Sequence, residues 1–335
     1  MGVWHILKGY DMRKVWRDII TVSLSLFRIM IPTLIVVKIA TMLGFDDMLI
    51  YLCQPVMSWF TLPASASIVI VTTLLTNPYT GLIVAATLPE MAQLSVGQAS
   101  LLALIMLFTH GLPLEAMISS RVGIRLWFVV LLRLGTAFLS ALILAKLFQF
   151  FGWYQTPALA ALHQLTGASN APLDLSLGAW IVGQIGTLVI IQLVIIVLIA
   201  ALELLRILGV EALSIWALSP LLRVMGIGKR GATIAIVGVT LGLSFGSGVL
   251  MKDVATATIP QRDVFGVMCF INLKHSLFED TAILLLLGPS LFVIVILRLV
   301  CAVIITSLAM AFTSKMTGDQ MRRYFTNHNI PRAAG

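Results

Sequence analysis

Two histidines each precede a carboxylate by five positions, and both groups lie among apolar residues. His110 is followed by Glu115, and His275 is followed by Glu279 and Asp280. Ionisable groups at membrane depth are costly and tend to face an interior cavity, and histidine titrates near physiological pH. These residues predict a substrate or proton site. The alternative interpretation is a buried hydrogen-bonded pair that fixes helix packing.

Four other charged residues within apolar stretches are considered for structural or coupling roles. Arg133 and Arg298 each need a carboxylate or carbonyl partner, and the carboxylates named above are the candidates. A structural salt bridge is the interpretation we favour for both. Lys252 and Asp253 are adjacent, so they either give the site polarity for an anionic group or neutralise each other.

Polar and glycine-rich strings interrupt the apolar stretches in two matching pairs. Residues 77–81 (NPYTG) match 242–248 (GLSFGSG), and residues 110–113 (HGLP) match 274–276 (KHS). A helix can be broken at membrane depth only where the break is buried or lines a watery cavity. The functional interpretation is therefore a cavity-lining break, and the alternative for each break is a packing kink. We expect the first pair to form the tips of two helical hairpins, whose free N–H and C=O groups would face a solute.

The site prediction follows from these breaks and charges. The residues expected to line it are Asn77, Thr80, His110, Glu115, Ser244, Ser247, Asn272, His275 and Asp280. Structural or coupling roles are assigned to Arg133, Arg298, Lys252, Asp253 and Glu279.

Composition places the chain in lipid. Of its 335 residues 59% are hydrophobic and 11% are charged, whereas soluble domains carry about 25% charged residues. The net charge is +8, and basic residues precede the first apolar run and follow the last one. That pattern is typical of cytoplasmic flanks and does not indicate a nucleic-acid partner. The partners expected are membrane lipids and a small polar solute.

No motif indicates an enzyme, a metal or a cofactor. Cys53, Cys269 and Cys301 are isolated in apolar runs and show no metal-ligand spacing. There is no nucleophile–base pair, phosphate-cradling loop or dinucleotide fingerprint. We therefore predict no metal site, no cofactor and no enzymatic activity.

The two halves of the chain look like copies of one unit. An offset of 165 residues (275 minus 110) aligns Gly246 with Gly81, His275 with His110, Asp280 with Glu115 and Arg298 with Arg133. We predict a duplication with an amphipathic cytoplasmic segment (1–18), a first repeat (19–151), a connector (152–175), a second repeat (176–313) and a basic cytoplasmic tail (314–335).

The basic residues predict opposite orientations for the two repeats. The segment 44–62 contains Asp46 and Asp47 but no Lys or Arg, whereas its counterpart 209–230 contains Arg223, Lys229 and Arg230. Because Lys and Arg mark the cytoplasmic side, corresponding segments should face opposite sides of the membrane. Inverted repeats with broken helices are a recurring plan of secondary transporters. Both termini are then predicted to be cytoplasmic.

The strings TNPYTG, THGLPLEAMISSRVG and LKHSLFEDTAILLLLGPS give the chain a family resemblance. It resembles the nucleoside recognition or "Gate" domain proteins, and looks like a fusion of the spore maturation A and B proteins. The resemblance covers most of residues 20–312. It implies a bacterial inner-membrane protein with paired hairpins around a central site, and a homodimer as the assembly.

We therefore expect an all-α polytopic membrane protein of two inverted repeats with paired re-entrant or broken hairpins. The functional hypothesis is alternating access for a small polar or anionic solute, with proton coupling through the His–carboxylate groups as a second hypothesis. The alternative function is that of a lipid-carrier flippase or a non-transporting membrane assembly factor. A closed polar site favours the solute, and a groove open to lipid favours the lipid carrier.

Overall fold

The chain folds into α-helices joined by short connections. A computed structural model describes residues 12–159, 161–166, 176–241, 243–256 and 259–327. Within these ranges, extended pairing is limited to two isolated bridges, Ser95–Pro157 and Ile124–Thr326. The helices of the first half are α1 (Met12–Met42), α2 (Phe45–Trp59), α3 (Ala66–Leu75), α4 (Pro78–Thr87), α5 (Val96–Thr109), α6 (Leu112–Val122), α7 (Leu126–Phe151) and α8 (Ala161–Thr166). Those of the second half are α9 (Leu177–Ile207), α10 (Val210–Val224), α11 (Lys229–Leu241), α12 (Leu243–Ala255), α13 (Gln261–Leu273), α14 (Glu279–Leu284), α15 (Arg298–Thr313) and α16 (Gly318–Tyr324).

Among the described residues, five helical stretches are long and apolar enough to cross a membrane. They are Val15–Met42, Val96–Val122, Leu126–Phe151, Leu177–Leu205 and Phe292–Thr313. A span needs about 20 apolar residues, and each of the five exceeds that length. Large apolar side chains on them point outward, as where Val182 and Val197 are 70% and 68% exposed. The predicted all-α polytopic membrane fold is confirmed.

Contacts divide the chain into two compact units. Unit 1 comprises the described residues within Met1–His110, Ala141–Gly209 and Glu279–Ile294, and unit 2 those within Gly111–Ser140, Val210–Phe278 and Val295–Gly335. With the offset of 165 residues, 210–275 of unit 2 corresponds to 45–110 of unit 1. In the same way, 279–294 of unit 1 corresponds to 114–129 of unit 2. Each unit therefore takes its first part from one predicted repeat and a later part from the other.

Unit 1 contains the helical hairpin formed by α3 and α4. The chain reverses at Thr76 and Asn77, and Asn77 caps α4 by accepting a hydrogen bond from the Thr80 N–H at 2.9 Å. The two helices touch at Gly81, where an added Cβ would lie 1.8 Å from the Thr73 hydroxyl oxygen. Only a residue without a side chain allows this approach, so Gly81 sets the packing of the hairpin.

Unit 2 contains the equivalent hairpin formed by α11 and α12. Here Gly246 occupies the position of Gly81 (246 minus 165), and an added Cβ would lie 2.5 Å from the Cα of Gly238. Helix α12 begins at Leu243, and Gly242 lies outside the described residues. In both hairpins a glycine in the first turns of the second helix permits the close crossing. The two predicted hairpins are thus present.

The ends of the chain differ from the predicted segments. Helix α1 runs from Met12 to Met42 without a break, so it crosses the predicted boundary at residue 18. The predicted basic tail contains a short helix, α16, which begins with a capping box between Thr317 and Gln320. Part of the predicted connector is also ordered, because Leu162 of α8 is fully buried. The rest of the amphipathic segment, residues 1–11, lies outside the described residues.

Candidate functional site

In unit 1, His110 lies at a break between two helices. Helix α5 ends at Thr109, and Gly111 adopts a positive φ of 58° before Leu112 and Pro113 start α6. The His110 ring places Nδ1 3.1 Å from the Met106 carbonyl and Nε2 3.3 Å from the Asp280 carboxylate. Both side chains are more than nine-tenths buried. Asp280 lies in the first turn of α14, where the helix dipole favours a negative charge.

In unit 2, His275 repeats this geometry. Helix α13 ends at Leu273, and Ser276 adopts a positive φ of 47°. The His275 ring places Nδ1 2.9 Å from the Ile271 carbonyl and Nε2 3.1 Å from the Glu115 carboxylate. Each histidine thus places Nδ1 on the carbonyl four residues before it and presents Nε2 to a carboxylate, which is buried at Asp280 and partly buried at Glu115.

The geometry fixes where the protons lie. A carbonyl oxygen only accepts, so Nδ1 of each histidine must carry hydrogen and donate it. In a neutral ring Nε2 is then an acceptor, and an ionised carboxylate is also an acceptor. The contact between Nε2 and the carboxylate is therefore a hydrogen bond only when it holds one further proton. One proton, on Nε2 or on the carboxylate, would turn either contact into a hydrogen bond.

The partners of the two histidines are exchanged relative to the prediction. The sequence grouped His110 with Glu115, and His275 with Glu279 and Asp280, because they are close along the chain. In the structure, His110 contacts Asp280 and His275 contacts Glu115. The carboxylate that each histidine contacts therefore comes from the other predicted repeat. Sequence spacing could not show this exchange.

Arg133 and Arg298 are both fully buried but have different partners. The Arg133 guanidinium donates to the Glu115 carboxylate, the predicted kind of partner. Arg298 donates to the carbonyls of Leu273 and His275 at 3.2 and 3.5 Å. These carbonyls belong to the end of α13, where helical carbonyls lack intrahelical partners. Arg298 therefore caps the helix that leads to His275.

Three polar residues next to the site were not predicted to belong to it. Lys274 is fully buried and donates to the Val295 carbonyl at 3.3 Å. Ser119 accepts a hydrogen bond from the predicted residue Asn272 at 3.0 Å, and both side chains are buried. Tyr79 donates to Glu279 at 3.0 Å within unit 1. Lys274 and Tyr79 lie within the strings 274–276 and 77–81 that interrupt the apolar stretches. Their positions in these strings were the available sign that they lie near the site.

At the hairpin tip of unit 1, the predicted residues Asn77 and Thr80 contact each other. The Asn77 side-chain oxygen accepts from both the N–H and the hydroxyl of Thr80, at 2.9 and 3.1 Å. Because Pro78 has no N–H, the start of α4 offers fewer free donors than predicted. The donor that remains is the Asn77 side-chain amide, which is buried and has no hydrogen-bond partner among the described residues.

The hairpin of unit 2 carries the remaining predicted residues. Ser247 is fully buried, and its hydroxyl lies 4.0 Å from the Met268 sulfur. The Ser244 side chain lies outside the described part of the structure. Lys252 is exposed near the other end of α12. Asp253 accepts two hydrogen bonds from Arg230, at 2.9 and 3.1 Å, and this hydrogen bonding raises the pKa of Arg230 above its ordinary value.

The comparisons with known proteins give one relative of unassigned function. The chain is 29% identical over 292 residues to a protein of Bacillus subtilis (strain 168) named uncharacterized membrane protein YvoD, covering 87% of this chain and 91% of the relative. No family model matches the chain, and no solved structure matches it. The relative and the five spans together support a polytopic α-helical membrane protein.

Proposed function

We propose that this chain is a proton-coupled secondary transporter for a small polar or anionic solute, working by alternating access and not as an enzyme. The observation that carries the proposal is the pair of equivalent His–carboxylate contacts, His110–Asp280 and His275–Glu115, at the two helix breaks. One proton would turn each contact into a hydrogen bond, as argued above. A proton that moves on and off such a pair changes whether the contact exists.

The membrane makes a purely structural role expensive. Placing an ionisable residue in a transmembrane segment costs about 2.5–3.5 kcal/mol on insertion scales, and such residues commonly mark ion pathways or proton relays. Helix packing alone needs no titratable pair, since apolar side chains of similar volume stabilise such contacts equally well or better. The duplicated arrangement supports a functional use of both pairs.

The hairpin tip of unit 1 offers the contacts for a polar solute. The Asn77 side-chain amide is a buried donor, and the Thr281 hydroxyl is also buried, neither having a hydrogen-bond partner among the described residues. Buried polar groups without partners are costly, so water or a ligand is expected to satisfy them. An acceptor group on the solute, such as a carbonyl or carboxylate, fits the Asn77 donor.

The resemblance to nucleoside recognition domain proteins supports the same function. It extends the proposal to the bacterial inner membrane, to cytoplasmic termini and to a homodimer. The hairpins at Gly81 and Gly246 and the exchanged pairs agree with the duplication on which the inverted-repeat prediction rests. These finer features remain part of the proposal.

The test begins with ligand discovery on purified protein. Thermal shifts are measured against nucleosides, amino acids, organic acids and isoprenoid phosphates, because a ligand that binds the folded state raises the melting temperature. Any hit is then tested for uptake into proteoliposomes with and without a pH gradient. We expect a soluble solute to be taken up faster with a gradient; stabilisation by isoprenoid phosphates alone would instead favour the lipid-carrier function.

Variants then test the coupling. His110→Gln and His275→Gln should each abolish the response of uptake to the pH gradient, because glutamine cannot carry the additional proton. Asp253→Asn is the control, since its carboxylate pairs with the exposed Arg230. Unchanged gradient dependence in both histidine variants would refute proton coupling.

A further inference from the structure

The C-terminal segment Thr317–Asn327 is held on unit 2 by contacts that a solvated tail would not make. Phe325 packs its ring against Phe128 and Phe265, with centroids 5.2 and 5.7 Å apart, and Thr326 is fully buried. Met321 of α16 is also buried. The segment therefore belongs to the core of unit 2.

Polar contacts fix the same segment to the end of α6. The Arg125 side chain donates to the carbonyls of Arg322 and Thr326 at 2.9 and 3.0 Å. Asn327 closes the other side, because its N–H donates to the Gly123 carbonyl at 2.8 Å and its side chain donates to the Ser120 carbonyl at 2.7 Å. These bonds satisfy carbonyls in the last turn of α6 and immediately after it.

A third set of contacts reaches the first turns of α13 and the end of α15. Gln261, the first residue of α13, donates to the Thr326 hydroxyl at 2.7 Å. Phe312, near the end of α15, has its ring centroid 6.1 Å from that of Phe325. The segment thus contacts four helices of unit 2: α6, α7, α13 and α15.

Each of these four helices carries one part of the buried charged cluster of unit 2. Glu115 lies on α6, Arg133 on α7 and Arg298 on α15, while α13 leads to His275. The distances along α6 and α7 are short: Ser120 follows Glu115 by five residues and Phe128 precedes Arg133 by five, which is about 7.5 Å in each case at 1.5 Å per residue. A shift of the helix ends that contact Thr317–Asn327 would therefore move Glu115 and Arg133.

We infer that the segment Thr317–Asn327 positions the His275–Glu115–Arg133 cluster by fixing the ends of the helices that carry it. The inference rests on the proposed function in so far as the cluster holds a transported proton. The positional role itself is tested without any solute. Its key residues act through the helices and do not touch the proton.

The experiment observes the imidazole nitrogens of the full chain in detergent micelles by NMR, after selective ¹⁵N labelling of histidine. The signals of His110 and His275 are assigned from the His110→Gln and His275→Gln variants. Phe325→Ala should shift or broaden the His275 signal and leave that of His110 in unit 1 unchanged. Phe325→Tyr, which keeps the ring, should restore the His275 signal, and Arg323→Ala at an exposed position should change neither.

Two outcomes would overturn the inference. One is an unchanged His275 signal in Phe325→Ala, and the other is an equal change in both histidines, which would show a general effect on the fold. Should Phe325→Ala fail to fold, the milder Thr326→Val removes the Gln261 bond and is judged by the same criterion. The measurement needs no solute, so its result is independent of the uptake experiments. Absent uptake would refute the proposed function, whereas a selective change of the His275 signal would still support the positioning role of Thr317–Asn327.

Discussion

Removing either charge of the Arg133–Glu115 pair in unit 2 should strongly lower the free energy of unfolding, because both side chains are little exposed. The Arg133 side chain is 0% exposed and that of Glu115 is 14% exposed. In Glu115→Leu, Arg133 loses this carboxylate, and His275 loses the carboxylate next to its Nε2 at the same time. Breaking a buried pair in this way costs about 3–5 kcal/mol, a large fraction of the 5–15 kcal/mol by which proteins are typically stable.

A double-mutant cycle separates this cost from the loss of packing. Glu115→Leu and Arg133→Met are each expected to lower the free energy of unfolding by about 3–5 kcal/mol. The double variant removes both charges, so it should lose clearly less than the sum of the two single losses. Reversible unfolding in mixed micelles of sodium dodecyl sulfate and a mild detergent provides the measurement.

The pair Arg230–Asp253 supplies the matched control in the same unit. Its arginine side chain is 57% exposed, and solvent screens exposed pairs so that they contribute little. Asp253→Asn should therefore lower stability far less than Glu115→Leu. If Glu115→Leu cost no more than Asp253→Asn, or if the two single losses simply added, the reasoning from burial would be refuted.

Three further predictions concern the hairpin tips and the orientation of the repeats. Gly81→Ala should destabilise the protein by about 1–3 kcal/mol, because its Cβ would overlap Thr73. Gly248→Ala is the control and should lose no stability, because the space around Gly248 is open. Thermal unfolding of the two variants is compared, and equal melting temperatures would contradict the prediction. Asn77→Asp keeps the oxygen that caps α4 but lacks the amide donor, so ligand affinity in a titration of the folded variant should fall at least about tenfold, as expected for a lost buried hydrogen bond. Some loss of melting temperature is expected too, because a carboxyl group replaces a buried amide, and equal affinity would exclude Asn77 from the solute site. Single cysteines at residues 46 and 223, in place of Asp46 and Arg223, should react with an impermeant reagent from opposite sides of the membrane, and labelling from one side would contradict the inverted repeat.

Continuous apolar runs allowed the long helices to be predicted closely. The run 126–151 coincides with α7, and the run 177–208 differs from α9 by one residue at its end. In lipid such runs form helices, because every backbone N–H and C=O must be hydrogen-bonded within the segment. The breaks at Asn77 and His110 were predictable for the complementary reason, since proline and glycine interrupt the pattern there.

The C-terminal helix and the small hydrogen-bonding partners were not predicted. Thr317 and Gln320 form a capping box whose signature is visible in the sequence, yet the basic residues beside it indicated only a cytoplasmic tail. Ser119 has no charge and no unusual neighbour, so only the structure shows that it binds Asn272. Short-range signals of this kind are weak until tertiary contacts select among them.

The exchange of partners has a physical consequence for the predicted duplication that spacing alone does not contain. If each histidine had bonded the carboxylate of its own predicted repeat, one repeat would hold a complete His–carboxylate pair. Instead His110 meets Asp280 and His275 meets Glu115, so each pair takes one member from each predicted repeat. Neither half of the chain can therefore assemble a His–carboxylate pair of the observed kind without the other.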